Sequence, residues 1–303
     1  MIEHESLPKD QRPHYSLLME STVFEDVSVV KALIAARGDL ESRDMNGWTA
    51  LHCAAFLGRT DVVDALVEAG ANVDALESAG KSSLLLASSN GFAEIVRILM
   101  DAKASLEIRG GDPTKPLIAA ATQGHTATVK VLLDAKAAVD TKGCHNVTAL
   151  YCAAQQGHAE TARELIDAKA PIDAMDKSQM TPLMVAASNG KTSVVELLIA
   201  AKATVDARDR MSRTSLLVAA SHGHADVVRV LLEAKATVDA PDRYDILPLM
   251  YAAEAGHSET VKVLIAAKAN VAATNDEGKT ALMFALDSHD AATVRALKEC
   301  SDL

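Results

Sequence analysis

The sequence has few aromatic residues, no long apolar segment and no excess of positive charge. Only 3% of its 303 residues are aromatic, although 49% are hydrophobic, many of them alanine. Small side chains in that proportion favour thin, closely packed helices over a broad globular core. The net charge of −11 argues against a nucleic-acid or anionic-membrane partner, because both favour an excess of Lys and Arg. No apolar run approaches the ~20 residues that span a bilayer, so no membrane insertion is expected.

The cysteines and the first residues indicate an intracellular protein. The sequence has four cysteines, with no CxxC motif and no paired spacing: Cys53, Cys144, Cys152 and Cys300. They are typical of reduced side chains in a compartment without disulfides. Residues 1–10 lack the basic and apolar regions of a signal peptide. We therefore expect an intracellular location, with the cytoplasm first and the nucleus left open.

A pattern of leucine and glycine returns every 33 residues. The leucines are Leu18, Leu51, Leu84, Leu117, Leu150, Leu183, Leu216, Leu249 and Leu282, and the glycines are Gly58, Gly91, Gly124, Gly157, Gly190, Gly223 and Gly256. A fixed period of this length is typical of proteins built from stacked repeats. Each repeat predicts two short helices, which are too short to be stable alone and must be completed by their neighbours.

The start of the first predicted helix resembles a known family. Thr49-Ala50-Leu51-His52-Cys53-Ala54 and Thr181-Pro182-Leu183-Met184-Val185-Ala186 are similar to the Thr-Pro-Leu-His-x-Ala signature of ankyrin repeats. The resemblance covers residues 14–300. It implies an all-α ankyrin-repeat solenoid of stacked helix-turn-helix units joined by β-turn-like loops. Because 303/33 is about nine, we expect about nine repeats, including degenerate terminal caps.

The period divides the chain into an arm, two caps and seven full repeats. The predicted segments are a flexible N-terminal arm 1–13, an N-capping repeat 14–43, ankyrin repeats 44–76, 77–109, 110–142, 143–175, 176–208, 209–241 and 242–274, and a C-capping repeat 275–303.

At two positions within the repeat, the sequence departs from the family pattern. The turn glycine is replaced by Pro113, Asn146, Gln179, Ser212 and Asp245, and the glycine that follows the second helix is replaced by Lys103, Lys136, Lys169, Lys202, Lys235 and Lys268. A left-handed backbone there would cost each lysine roughly 1–2 kcal/mol against glycine. The six lysines are interpreted either as a row for an acidic partner or as a feature copied when the repeats duplicated.

No motif in the sequence predicts catalysis, a cofactor or a metal. Ser221, His222, His224 and Asp226 stand close together, but His224 shares the Gly-His register of His125, His158 and His257, which indicates a structural histidine. Cys144, His145, Cys152 and His158 fit no four-ligand zinc spacing. We therefore predict a chain that is not an enzyme and has no small-molecule substrate.

The family resemblance implies binding along the concave side, formed by the turn tips and the outward face of each first helix. In that register we expect an apolar cluster and a basic–apolar region, which together comprise Met45, Trp48, Phe56 and Leu57, and Lys177, Met180, Arg208, Arg210, Met211, Arg213, Arg243, Tyr244 and Ile246. This composition predicts an adaptor or regulatory subunit that binds an acidic and apolar protein segment in the concave groove. The alternative is a structural subunit of a larger complex that uses several faces.

Overall fold

The computed structural model describes residues 16–24, 27–107, 115–288 and 290–301. The predicted arm 1–13 and the replacement of a turn glycine by Pro113 lie outside the described residues. The chain divides into two compact units, an N-terminal unit that ends at Gly143 and a C-terminal unit that begins at Cys144. The boundaries assigned above to individual repeats stay a prediction.

The described residues form 18 α-helices. The helices of the N-terminal unit are α1 Leu17–Val23, α2 Val27–Ala35, α3 Ala50–Leu57, α4 Thr60–Glu68, α5 Ser83–Asn90, α6 Ala93–Asp101, α7 Pro116–Thr122 and α8 Thr126–Asp134. Those of the C-terminal unit are α9 Ala149–Gln156, α10 Ala159–Asp167, α11 Pro182–Ser188, α12 Thr192–Ala200, α13 Ser215–Ser221, α14 Ala225–Glu233, α15 Pro248–Glu254, α16 Ser258–Ala266, α17 Ala281–Asp287 and α18 Ala291–Ser301. The described residues contain no strand; Cys144–Asn146 form a short 3₁₀ turn, and isolated β-bridges join Leu76 to Ser82 and Thr274 to Thr280.

Within each unit the helices pack in two layers. The odd-numbered helices contact one another in order, as α3 contacts α5 and α11 contacts α13, and the even-numbered helices form the second layer. Close approach depends on alanine, since Ala54, Ala87, Ala186 and Ala219 are fully buried. The all-α fold of stacked helix pairs predicted from the sequence is confirmed.

Hydroxyl side chains begin most of the first helices. Thr214 Oγ1 accepts a hydrogen bond from the Leu217 amide at 3.3 Å. Lys115 and Leu247 make no side-chain cap, and the next residue in each case is a proline at the first helical position. That position tolerates proline because its missing N–H would have no partner within the helix.

Where the Gly-His register holds a histidine, as at His125, His224 and His257, the side chain joins its helix pair to the one before it. Nε2 of His224 donates to the Ser188 carbonyl oxygen at 3.0 Å, and His257 bonds the Ser221 carbonyl in the same way at 3.2 Å. The structural interpretation of this histidine is confirmed. The ring also lies against the bend glycine, so a Cβ added to Gly190 would stand 2.7 Å from Nδ1 of His224.

All six lysines that follow a second helix have a left-handed backbone. Their φ values lie between 65° for Lys103 and 70° for Lys202, and the family glycine at Gly70 has φ 87°. A Cβ added to Gly70 would meet no atom within 4 Å, so a side chain fits there sterically. The cost of lysine at this register is therefore a cost of backbone conformation alone.

We expect Lys202→Gly to raise the free energy of unfolding by about 0.5–1 kcal/mol. Relief of the left-handed strain is partly offset by the greater freedom of glycine in the unfolded chain. Lys202→Gln is the matched control, because it removes the charge and keeps the strain, and it should bring no gain. Denaturant midpoints measure both variants. A lower midpoint for Lys202→Gly would show that the lysine is not strained.

Candidate binding surface

Most of the described turns before a first helix are held by the side chain of their first residue. Asp209 Oδ1 accepts hydrogen bonds from the amides of Met211 at 2.8 Å and Arg213 at 2.9 Å. Asp176, Asp242 and Asn275 bond the corresponding amides of their own turns. The Asp209 carboxylate is buried, so this cap lies inside the fold. The residues that follow the cap therefore have fixed positions on the surface.

Backbone hydrogen bonds connect successive turns of the C-terminal unit. The amide of Lys177 donates to the His145 carbonyl at 2.8 Å, Arg210 to Ser178 at 3.1 Å, and Arg243 to Met211 at 2.9 Å. Lys177, Arg210 and Arg243 thus occupy equivalent positions in three adjacent turns. We call these three residues the turn cation row.

Two of the five predicted basic residues bond within the fold. Arg208 Nη1 donates to the Ser212 carbonyl at 3.1 Å and to the Pro241 carbonyl at 2.8 Å, so it joins its own turn to the next. Arg213 pairs with Asp209 through Nη2 at 2.7 Å and Nε at 2.8 Å. Both guanidinium groups therefore stabilise the turns, a role that the sequence did not predict.

The turn cation row is exposed to solvent. In the described part of the C-terminal unit, the side chains of Lys177 and Arg210 have no hydrogen bond or ion pair. Arg243 lies 5.5 Å from the ring centre of Tyr244, and its Nη1 lies 3.6 Å from Sδ of Met211. Among the described residues no carboxylate pairs with this positive charge, so it is available to an external anion.

Apolar side chains accompany the row. Tyr244 is 48% exposed, whereas Met180, Met211 and Ile246 are half-buried. Half-exposed apolar side chains beside unpaired cations are typical of a surface that binds a segment with both acidic and apolar residues.

The N-terminal unit carries the predicted apolar cluster in a modified form. Trp48 packs edge-to-face on Phe56, with ring centroids 5.4 Å apart. Met45 is 77% exposed and Phe56 46%, whereas Trp48 and Leu57 are half-buried. The exposed apolar surface here is centred on Met45 and Phe56.

Two tyrosines support the turn aspartates and were not singled out by the sequence analysis. Tyr251 donates its hydroxyl to Asp242 Oδ2 at 2.9 Å, and Tyr151 donates to Asp176 Oδ2 at 3.1 Å. Burial, together with the hydrogen bond to Asp242, raises the pKa of Tyr251 to about 12. Tyr151 occupies the repeat position of His52, and Tyr251 occupies the position after it. Because the two tyrosines do not share a repeat position, the sequence pattern did not predict their contact with the turn aspartates.

The other candidate chemical groups fit structural roles. Burial raises the pKa of the Cys53 thiol to about 12, so this thiol stays protonated and unreactive. Cys144 is exposed whereas Cys152 is buried. Among the described residues no three His, Cys, Asp or Glu side chains lie close enough together to hold a metal.

His52 is the buried histidine of the first full repeat. Its Nε2 lies 3.0 Å from the Ala75 carbonyl oxygen and its Nδ1 lies 2.8 Å from Thr49 Oγ1. Burial lowers its pKa in the folded protein, against smaller opposite effects of the carbonyls of Lys81 and Ala75. The neutral ring donates through Nε2 and accepts through Nδ1, and it closes the capping box of α3.

Acidification should destabilise the wild type through His52. The unfolded chain binds the proton near pH 6.5 and the folded chain only at lower pH, so stability is full above about pH 6.5 and falls below it. Met184 and Met250 occupy the position of His52 in other repeats, so methionine is the replacement. We expect His52→Met to reduce the loss of unfolding free energy on acidification by up to about 1.4 kcal/mol per pH unit. Urea titrations at several pH values measure this, and equal slopes for both proteins would contradict it.

The repeated helix pairs, the turn caps and the Gly-His contacts define a protein of stacked helix-turn-helix repeats. The family model described as ankyrin repeats (3 copies) matches residues 17–110, 104–176, 168–242 and 242–302. The chain therefore belongs to the ankyrin-repeat family, as the sequence resemblance implied. Ankyrin repeats are protein-interaction modules and are generally not enzymes.

A solved structure shares this fold. The crystal structure of the human ASB11 ankyrin repeat domain is 25% identical in sequence, with a TM-score of 0.68, and the match covers 74% of this chain and 99% of that one. No match was found among curated proteins. No helix in the described part of the chain is long and apolar enough to cross a membrane.

Proposed function

We propose that this chain is a non-enzymatic adaptor or regulatory subunit that binds an acidic and apolar segment of another protein inside the cell. The observation that carries the proposal is the turn cation row, whose three charges have no carboxylate partner among the residues that the structure describes and stand beside Tyr244 and Met211. A chain of net charge −11 that keeps unpaired cations on adjacent turns favours an acidic partner at that place.

The second helices of the C-terminal unit carry exposed acidic side chains. Glu196, Asp226 and Glu259 are exposed on α12, α14 and α16, one per helix pair. Asp226 and Glu259 pair with Arg229 and Lys262 of their own helices, yet the acidic side chains remain in solvent. In α14 and α16 the cation of each helix is paired with a carboxylate, so these two helices offer an acidic segment no unpaired cation.

Affinity capture with charge-reversed variants tests the proposal. The turn variant Lys177→Glu/Arg210→Glu/Arg243→Glu removes the row and spares Arg208 and Arg213, which hold the turns. Its matched control is Lys202→Glu/Lys235→Glu/Lys268→Glu, which changes the net charge equally at exposed lysines elsewhere. We expect wild type and control to retain the same acidic proteins from native lysate at low salt, and the turn variant to lose them.

A second candidate function is that of a structural subunit in a larger complex. The exposed apolar side chains of the N-terminal unit favour it, since Phe24 is 80% exposed, Met45 77% and Leu17 64%. Contacts of this kind resist salt, because screening weakens exposed charge pairs and leaves apolar burial intact. If wild type and both variants retain the same proteins at high salt, the structural function is favoured and the acidic-segment function fails.

A further inference from the structure

We infer that Asn46 is a covalent modification site, at which the folded protein loses a side-chain amide by spontaneous deamidation. An asparagine followed by glycine is the dipeptide most prone to this reaction. The sequence holds three such dipeptides, Asn46-Gly47, Asn90-Gly91 and Asn189-Gly190. The same chemistry is therefore available at three places, and the surroundings of each asparagine determine where it proceeds.

The reaction needs no partner except water. The backbone nitrogen of the glycine attacks Cγ of the asparagine, so a C–N bond forms and the Cγ–Nδ2 bond breaks. The side-chain nitrogen leaves as ammonia, with the proton of the glycine amide. Water then opens the cyclic imide at either carbonyl, which gives aspartate or isoaspartate. Glycine favours the attack because it has no Cβ to hinder the approach.

Two of the three carboxamides are bonded to a helix. Nδ2 of Asn90 donates to the Leu86 carbonyl at 2.9 Å, and Nδ2 of Asn189 donates to the Val185 carbonyl at 2.8 Å. Each carboxamide is thus directed back along its own helix, away from the glycine that follows it. This bond must break before the glycine nitrogen can reach Cγ.

The glycines of these two dipeptides are also covered by a ring from the next repeat. A Cβ added to Gly91 would lie 2.5 Å from Nδ1 of His125, and one added to Gly190 would lie 2.7 Å from Nδ1 of His224. Nε2 of each ring is bonded to a backbone carbonyl of the preceding repeat, so the ring is fixed. The end of a helix and a packed ring would therefore have to move together.

The carboxamide of Asn46 has no such restraint. Its side chain is exposed and, in the described part of the chain, has no hydrogen bond. The Gly47 amide donates to the Asp44 carbonyl at 2.9 Å, so the turn must open before the attack. Asp44 Oδ1 accepts from the amides of Asn46 at 2.9 Å and Trp48 at 2.8 Å, so this carboxylate controls how often the turn opens.

The isoaspartate product would change the backbone of the turn as well as its charge. The main chain then runs through Cβ and Cγ, and the former backbone carbonyl becomes part of a side-chain carboxylate. In the unmodified protein that carbonyl accepts a hydrogen bond from the Ser78 amide at 2.9 Å, which joins this turn to the next. The neighbouring Met45, at the centre of the exposed apolar surface, moves with the lengthened chain.

Peptide mass spectrometry of the full chain, incubated at neutral pH, measures all three sites in one sample. In the native protein we expect Asn46 to be converted at least about tenfold faster than Asn90 or Asn189, because only the latter two must first break a side-chain bond and displace a ring. In urea these restraints are absent, so the three sites should react at similar rates. Equal rates in the native protein, or a difference that persists in urea, would overturn the inference.

Asp44→Ala tests whether opening of the turn controls the reaction. Loss of the carboxylate should raise the rate at Asn46 about tenfold and leave the other two sites unchanged. The matched control is Asp242→Ala, which removes the equivalent cap from a turn without an Asn-Gly dipeptide and should not change the rate at Asn46. If both variants raise that rate equally, general destabilisation controls the reaction and the assignment to this turn is wrong.

Discussion

Replacing Gly223 with alanine is expected to destabilise the protein by about 3 kcal/mol. The residue has φ +75°, a left-handed conformation that alone costs a non-glycine residue roughly 1–2 kcal/mol. The new Cβ would also lie 2.7 Å from Nδ1 and 2.8 Å from Cγ of His257. The His257 ring cannot move away freely, because Nε2 bonds the Ser221 carbonyl. Strain and the displaced ring therefore add to each other.

Gly278→Ala is the matched control for Gly223→Ala. Gly278 has the same φ of +75°, but a Cβ there would meet no atom within 4 Å. We expect it to cost only about 1 kcal/mol in urea unfolding. A double variant, Gly223→Ala with His257→Ala, should cost less than the sum of its single changes, since the contact is then absent. If the two glycine variants cost the same, the close contact with His257 contributes nothing.

Asp209→Ala should cost about 3 kcal/mol of unfolding free energy. The change removes the acceptor of two backbone amides, those of Met211 and Arg213, and it leaves the Arg213 guanidinium without its partner. Because Asp209 is only 5% exposed, water cannot fully replace these bonds.

Asp209→Asn separates the turn cap from the ion pair. Asn275 occupies the same register and accepts from the amides of Glu277 at 3.1 Å and Lys279 at 2.8 Å, so an amide oxygen can hold this turn. We expect the asparagine variant to lose about 1 kcal/mol of unfolding free energy. Thermal and urea unfolding should both rank it as more stable than the alanine variant. Equal costs for alanine and asparagine would mean that the ion pair, and not the cap, stabilises the turn.

The repeat, its helices and its caps could be predicted from the sequence, because each depends on local spacing. Thr214 begins α13 and Gly223 follows the end of the same helix, each for reasons that lie within a few residues. The same holds for the left-handed lysines, whose position after a second helix already indicated their backbone conformation. Local rules suffice when the same local pattern is repeated along the chain.

The candidate surface could be predicted only in part. Arg208 and Arg210 stand two residues apart on one turn and are chemically identical, yet only Arg208 reaches the Pro241 carbonyl, 33 residues further on. The difference between the two arginines depends on where the next turn lies in space, which the spacing of residues in the sequence does not specify. The half-burial of Trp48 depends instead on how its ring packs against Phe56, near the end of α3, which the repeat spacing does not specify.

The connecting loops of the C-terminal unit determine how it can open. Asp173 accepts hydrogen bonds from the Thr204 amide at 3.0 Å, Asp206 from the Thr237 amide at 3.1 Å, and Asp239 from the Asn270 amide at 3.2 Å, each one repeat away. A helix pair between two such loops can unfold only by breaking bonds on both sides. Opening therefore spreads to the neighbours as one cooperative event, and amide hydrogens several repeats apart should exchange with solvent at a common rate.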